Sequence, residues 1–122
     1  MGVTVIAITL FGVKLDVTDE NAELLASLIT DDEEQREDII ACPDFSIPVE
    51  LDSGIYLQQI NDNGRNSKWY IYISKFMSTE EDENEYIVVT PPRKARKDKF
   101  LTWLSEHDIK GQYKQYLVLQ VV

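Results

Sequence analysis

Among the side chains able to do chemistry, the chain offers one thiol, Cys42, one imidazole, His107, and 22 carboxylates. A cysteine and a histidine brought together by folding make a nucleophile and its base, but neither sits in a local motif. Cys42 precedes Pro43 at an expected helix end and reads as a small buried group; His107 falls near an expected helix C-terminus. One Cys and one His are too few for zinc. The acids at 31–34 and 80–83 have the oxygen chemistry that calcium or magnesium wants. The loop around Asn61-Asp62-Asn63-Gly64 fails as a calcium loop, because Gly64 in the central glycine position would put Gln59 first and Tyr70 last among the ligands. Two carboxylates suffice for glycoside hydrolysis, but spacing selects no pair among so many. No catalytic residue, cofactor or metal ligand is assigned, and a non-enzymatic role is expected. A small hydrolase with unassigned carboxylates is kept as an alternative.

Charge is the stronger signal. The net charge is −10, with 22 acidic and 12 basic residues, and the sign is segregated. Asp31, Asp32, Glu33, Glu34, Glu37 and Asp38 form one dense ridge; Glu80, Glu81, Asp82, Glu83 and Glu85 form a second acidic stretch. The C-terminal quarter inverts the balance, with Arg93, Lys94, Arg96, Lys97 and Lys99 in seven positions. An acidic surface steers basic partners toward it and can imitate the charge of a phosphate backbone. The expected function is therefore an acidic binding or inhibitor protein that blocks a basic surface on a partner protein, including a nucleic-acid-binding surface. The alternative is a structural or assembly protein whose basic C-terminal region meets an acidic neighbour, a second copy of the chain included. Direct nucleic-acid binding by residues 93–99, with Trp103, Tyr113 or Tyr116 stacking on bases, is disfavoured by the acidity of the whole molecule. In size and charge the chain resembles small acidic inhibitors such as phage anti-defence and toxin-immunity proteins; the resemblance carries no motif and assigns no residue.

Positioning these groups requires an ordered fold, and the pattern supplies one. Residues 3–11 are apolar at both parities, as in a central strand, and Gly12 marks a bulge or bend before residues 13–17. Thr18 or Asp19 caps a helix whose stripe is Ala22, Leu25, Ala26 and Ile29. Thr30 with Glu33 reads as a capping box for a second helix, which turns Ile39 and Ile40 inward and ends at Pro43. Residues 45–60 are extended, interrupted at Pro48 and at Asp52-Ser53-Gly54. The turn at 61–64 leads into an aromatic strand over 68–76, making a hairpin. A short strand is expected over Tyr86–Thr90, then a helix near 98–107 with Phe100, Leu101 and Leu104 inward, and a last strand over 113–122. The fold class is α+β: an antiparallel or mixed sheet of roughly five strands with two or three helices mainly on one face. The two terminal strands are expected to pair, both being apolar enough to be central.

The length suits one domain over residues 1–122, and 43% hydrophobic residues are enough for a core. A single cysteine excludes an internal disulfide and fits a reducing, intracellular compartment such as the cytoplasm. The N-terminal apolar run is far short of the about 20 residues that span a bilayer, so no membrane partner is expected.

Overall fold

The N-terminal apolar run becomes β1 (Val5–Leu15), the strand on which the sheet is organised. It is followed by α1 (Asp19–Ile29), α2 (Glu33–Ala41), β2 (Val49–Asp52), β3 (Ile55–Asp62), β4 (Asn66–Thr79), α3 (Lys94–Glu106) and β5 (Lys114–Val121). The computed structural model describes residues 5–62, 66–79 and 89–121. The strands form one sheet in the order β2-β3-β4-β1-β5, and every pair is antiparallel. With three helices on one face, the fold is α+β. The terminal strands do pair, Ile8 opposite Val118, but β5 is an edge rather than a central strand among the described residues.

Two apolar clusters lie on opposite faces of the sheet. On the helix side, Val13, Leu15, Leu57, Trp69 and Ile71 receive Ala22 and Leu25 of α1 and Phe100, Trp103 and Leu104 of α3. On the other side, Ile8, Leu10, Ile60, Tyr70, Tyr72 and Val118 bury one another without any helix. They can do so because the sheet curls, bringing β3 close to β5 although no ladder joins them. The alternating Trp69-Tyr70-Ile71-Tyr72 run thus fills both clusters, as the period of two requires.

β1 and β4 meet at an irregularity. Phe11 pairs with Ser74 and Gly12 with Tyr72, so Ile73 is the extra residue of a bulge in β4. A Cβ on Gly12 would lie 2.1 Å from the Ile71 carbonyl oxygen and 2.7 Å from the Tyr72 Cα. Glycine is required here by close approach of two backbones. The irregularity expected at Gly12 is present, but its extra residue lies in β4 and β1 runs unbroken past it.

α1 starts as expected, and α2 and α3 do not. Thr18 caps α1, its hydroxyl accepting from the Asn21 N–H at 3.1 Å. The cap of α2 is Asp32, not Thr30: its carboxylate accepts from Glu34 and Gln35 N–H groups, while Thr30 donates to Gln35 and accepts from Asp32. A carboxylate one residue before the first turn outcompetes the hydroxyl further back. α3 begins at Lys94, four residues before the expected 98, so most of the basic run is helical. Its buried residues are Phe100, Trp103 and Leu104; Leu101, expected inward, is 38% exposed. Cys42 is exposed, not buried. Of the expected strand over Tyr86–Thr90, residues 86–88 lie outside the described residues, and Val89 and Thr90 have no regular structure.

α3 ends in a Schellman arrangement, with Ile109 N–H donating to Leu104 C=O and Asp108 N–H to Ser105 C=O. Asp108 occupies the left-handed region at φ 53°.

Two substitutions test these constraints by urea unfolding. Gly12→Ala is expected to cost about 3 kcal/mol, because the β4 backbone must move. Asp108→Gly is expected to add about 0.5–1 kcal/mol, because glycine relieves the left-handed conformation and an acid leaves a helix C-terminus.

Candidate functional site

α2 is held to the body by few contacts, which leaves its acids to solvent. It has no buried residue; Ile39 packs partly against the helix-side cluster, and the helix lies beside α1. The segment that follows is pinned more firmly. Phe45 is 3% exposed, edge-on to Trp69, and its carbonyl accepts from the Gln59 N–H at 2.7 Å. Trp69 in turn donates through Nε1 to the Gln59 side chain.

Asp31, Asp32, Glu33, Glu34, Glu37 and Asp38 are all exposed. The one cation in α2, Arg36, forms an ion pair with none of them. Its Nε donates to the Thr30 carbonyl at 3.0 Å and its Nη2 to the Asp31 carbonyl at 2.7 Å, stitching the α1–α2 link. Asp32 is committed to its cap; the other five have no ion-pair partner among the described residues. Asp19, Glu20 and Glu23 of neighbouring α1 are exposed too. Among the described residues one ion pair forms, Lys68 to Asp16 at 2.6 Å, and the lysine beside it holds the Asp16 carboxyl below the usual range. The acidic face of α1 and α2 is therefore uncompensated from within. The second expected acidic patch, Glu80, Glu81, Asp82 and Glu83, with Glu85, lies outside the described residues.

The basic run divides by role. Arg96 donates to the Ile73 carbonyl, and Lys97 lies 5.1 Å from the centre of the Tyr113 ring. Arg93, Lys94 and Lys99 are exposed and have no ion-pair partner among the described residues. No acid occupies the first turn of α3 and no side chain caps it, so the cations stand where a helix dipole opposes them. Trp103, a candidate for base stacking, is 7% exposed and packs on His107 and Phe100. Tyr116 is half-buried, with its hydroxyl on the Gln112 carbonyl.

Nothing joins Cys42 to His107. Cys42 ends α2, and His107 ends α3 with Nδ1 2.8 Å from the Trp103 carbonyl oxygen. Among the described residues, no group of three or more His, Cys, Asp or Glu could hold a metal ion. Glu20 and Asp108 share the wall of one cleft of about 210 Å³, both exposed. A cleft between the β2–β3 turn and α3, bordered by Arg96 and Lys99, offers only about 60 Å³, too little for the about 300 Å³ of an ordinary ligand site. No helix among the described residues is long and apolar enough to cross a membrane.

One arrangement went unforeseen. Because of the bulge at Ile73, Tyr72 and Lys75 project to the same helix-free face, although their spacing of three would separate them on a regular strand. Both donate to Gln58 Oε1, at 3.1 and 2.9 Å. The sequence signal was a slip in alternation: Trp69, Ile71 and Ile73 face the helices, and the next aromatic on that side is Phe76. No family model matches the chain, and no curated protein or solved structure is found similar to it. Function has to be argued from this geometry.

Burial, and then the neighbouring Tyr56, pushes the Tyr72 phenol up to about 12. A phenol held above its unfolded value of about 10 contributes its full stability below pH about 10 and loses it as pH rises toward about 12. Urea midpoints are expected to fall across that window, and Tyr72→Phe to flatten the fall.

Proposed function

We propose that this protein is a non-enzymatic binding protein whose acidic α1–α2 face occupies a basic surface of a partner protein, in particular a surface that otherwise binds nucleic acid. The observation that carries the reading is the ridge itself: five exposed carboxylates of α2 and its approach have no ion-pair partner among the described residues, and Arg36, the one cation in α2, donates to carbonyls and offsets only one of their charges. Uncompensated like charge costs stability and gains long-range attraction for a basic partner. Since α2 buries no residue, its charges serve no packing role in the core.

A second reading is assembly, in which the basic half of α3 meets the acidic face of another copy. It is favoured by Arg93, Lys94 and Lys99, which stand exposed and unpaired among the described residues.

Nuclease-treated capture from native-source lysate, with the Glu33→Lys/Glu34→Lys/Glu37→Lys variant alongside, separates these readings. A stoichiometric basic protein is expected on the wild type, and the variant is expected to retain less than about one tenth of it while unfolding within about 1 kcal/mol of wild type. Equal capture by both proteins sinks the blocking role. Recovery of this chain alone, with a solution mass that falls toward 14.1 kDa as salt rises, supports assembly.

A further inference from the structure

A cleft of about 300 Å³ at the β4 bulge is lined by Pro48, Tyr56, Tyr72, Ile73, Ser74 and Lys75. Its polar groups are mismatched. Lys75 is half-buried, and its ammonium lies 5.5 Å from the centre of the Tyr72 ring. An ammonium carries three donors; one reaches Gln58 Oε1 at 2.9 Å, and no carboxylate among the described residues pairs with it. Tyr72 spends its hydroxyl proton on the same oxygen, and the Gln58 amide donates to the Ser46 carbonyl at 3.4 Å. Donors therefore outnumber acceptors, and a cation is drawn partly out of water without a counter-ion. Burial lowers the Lys75 pKa accordingly.

The rest of the lining is mostly apolar, with the Tyr56 and Tyr72 rings and Pro48 beside Ile73 and the Ser74 hydroxyl. The Tyr56 and Tyr72 rings stack with centroids 5.8 Å apart and planes inclined by 27°. Glu50, opposite Tyr56 in the β2–β3 register, holds the Tyr56 phenol above its usual value.

We propose that this cleft binds a small organic anion, a carboxylate or phosphate monoester carried on an aromatic or other flat body. Lys75 takes the anionic group with its two remaining donors, and the body lies against Tyr56 and Pro48. A cation or a neutral amine finds no acceptor left open by Gln58. The volume suits a single ring with one charged substituent, at the lower bound of about 300 Å³ for ligand sites. The site depends on the β4 bulge, since without it Lys75 would face the helices. The inference stands apart from the acidic face and does not rest on the blocking role.

The test is an NMR titration of the full chain with four probes: phenyl phosphate, benzoate, inorganic phosphate and acetate. Phenyl phosphate or benzoate is expected to shift Tyr56, Tyr72 and Lys75 resonances saturably with a Kd below about 1 mM, and the ring-free probes to bind at least about tenfold more weakly. Lys75→Met is expected to weaken binding by at least about tenfold and Lys75→Arg to retain it, each variant first checked for a wild-type amide spectrum. Tyr56→Leu, which leaves the charge in place, is expected to remove most of the advantage of the ring. Absence of saturable shifts up to about 10 mM overturns the proposal, as does undiminished binding by either a folded Lys75→Met or a folded Lys75→Gln. Equal affinity for phenyl phosphate and inorganic phosphate overturns the flat-body assignment.

Discussion

The contact on which the rest of the structure depends is the close approach of β1 to β4 at Gly12. There the backbones pass too near for any side chain, and opposite the glycine β4 carries one extra residue, Ile73. Val13 and Leu15 stand beside Ile71 and Trp69 against the helices, while Ile8 and Leu10, at the other parity of β1, lie on the opposite face. Alternation along β1 and β4 supplies both apolar faces, and the bulge resets which face β4 presents beyond Ile73. It also frees the Ile73 carbonyl, which Arg96 takes, tying the start of α3 to the sheet. A bulge at such a place changes the direction of several side chains at once.

Electrostatics and burial pull in different directions along the helices. The first turns of α1 and α2 carry acids, which the helix dipole favours, and both have side-chain caps. α3 has neither advantage: cations surround its start. Each such charge costs about 0.3–1 kcal/mol at an exposed helix end, whereas burying each of Phe100, Trp103 and Leu104 returns about 1.5–3 kcal/mol. Burial holds α3, and its early first turn is tied down by Arg96 on the Ile73 carbonyl and Lys97 over the Tyr113 ring. The same balance explains why charge is so cleanly segregated: apolar packing holds the elements, and the charged side chains are left to solvent without having to pair.

Most of the fold was legible because the core positions obey simple periods. Ala22, Leu25 and Ala26 repeat at helical spacing, Trp69 to Ile73 alternate, and the apolar parities of residues 3–11 announced a strand with two covered faces. The acidic ridge was legible in the same way, since exposed charge follows from composition and neighbours in sequence. The cleft of Tyr56, Tyr72 and Lys75 was not. Lys75 reads as an ordinary polar residue ending an aromatic strand, and only a phase slip from Ile73 to Phe76 hints otherwise. Leu101 and Trp103 show the same limit, because a helical stripe gives the spacing of a face and not its rotation about the helix axis.

By itself the sequence determined the α+β class, the antiparallel hairpin, the need for glycine near residue 12 and the segregation of charge. These are consequences of local sterics, of a period of 2 or 3.6, and of counting charges. Tertiary structure decided the strand order, the place of β5 at an edge, the start of α3, the diversion of Arg36 onto carbonyls and the meeting of Tyr72 with Lys75. Each depends on which distant backbone group lies within hydrogen-bond reach, or on a one-residue change of register, and neither quantity is encoded in the spacing of neighbouring residues.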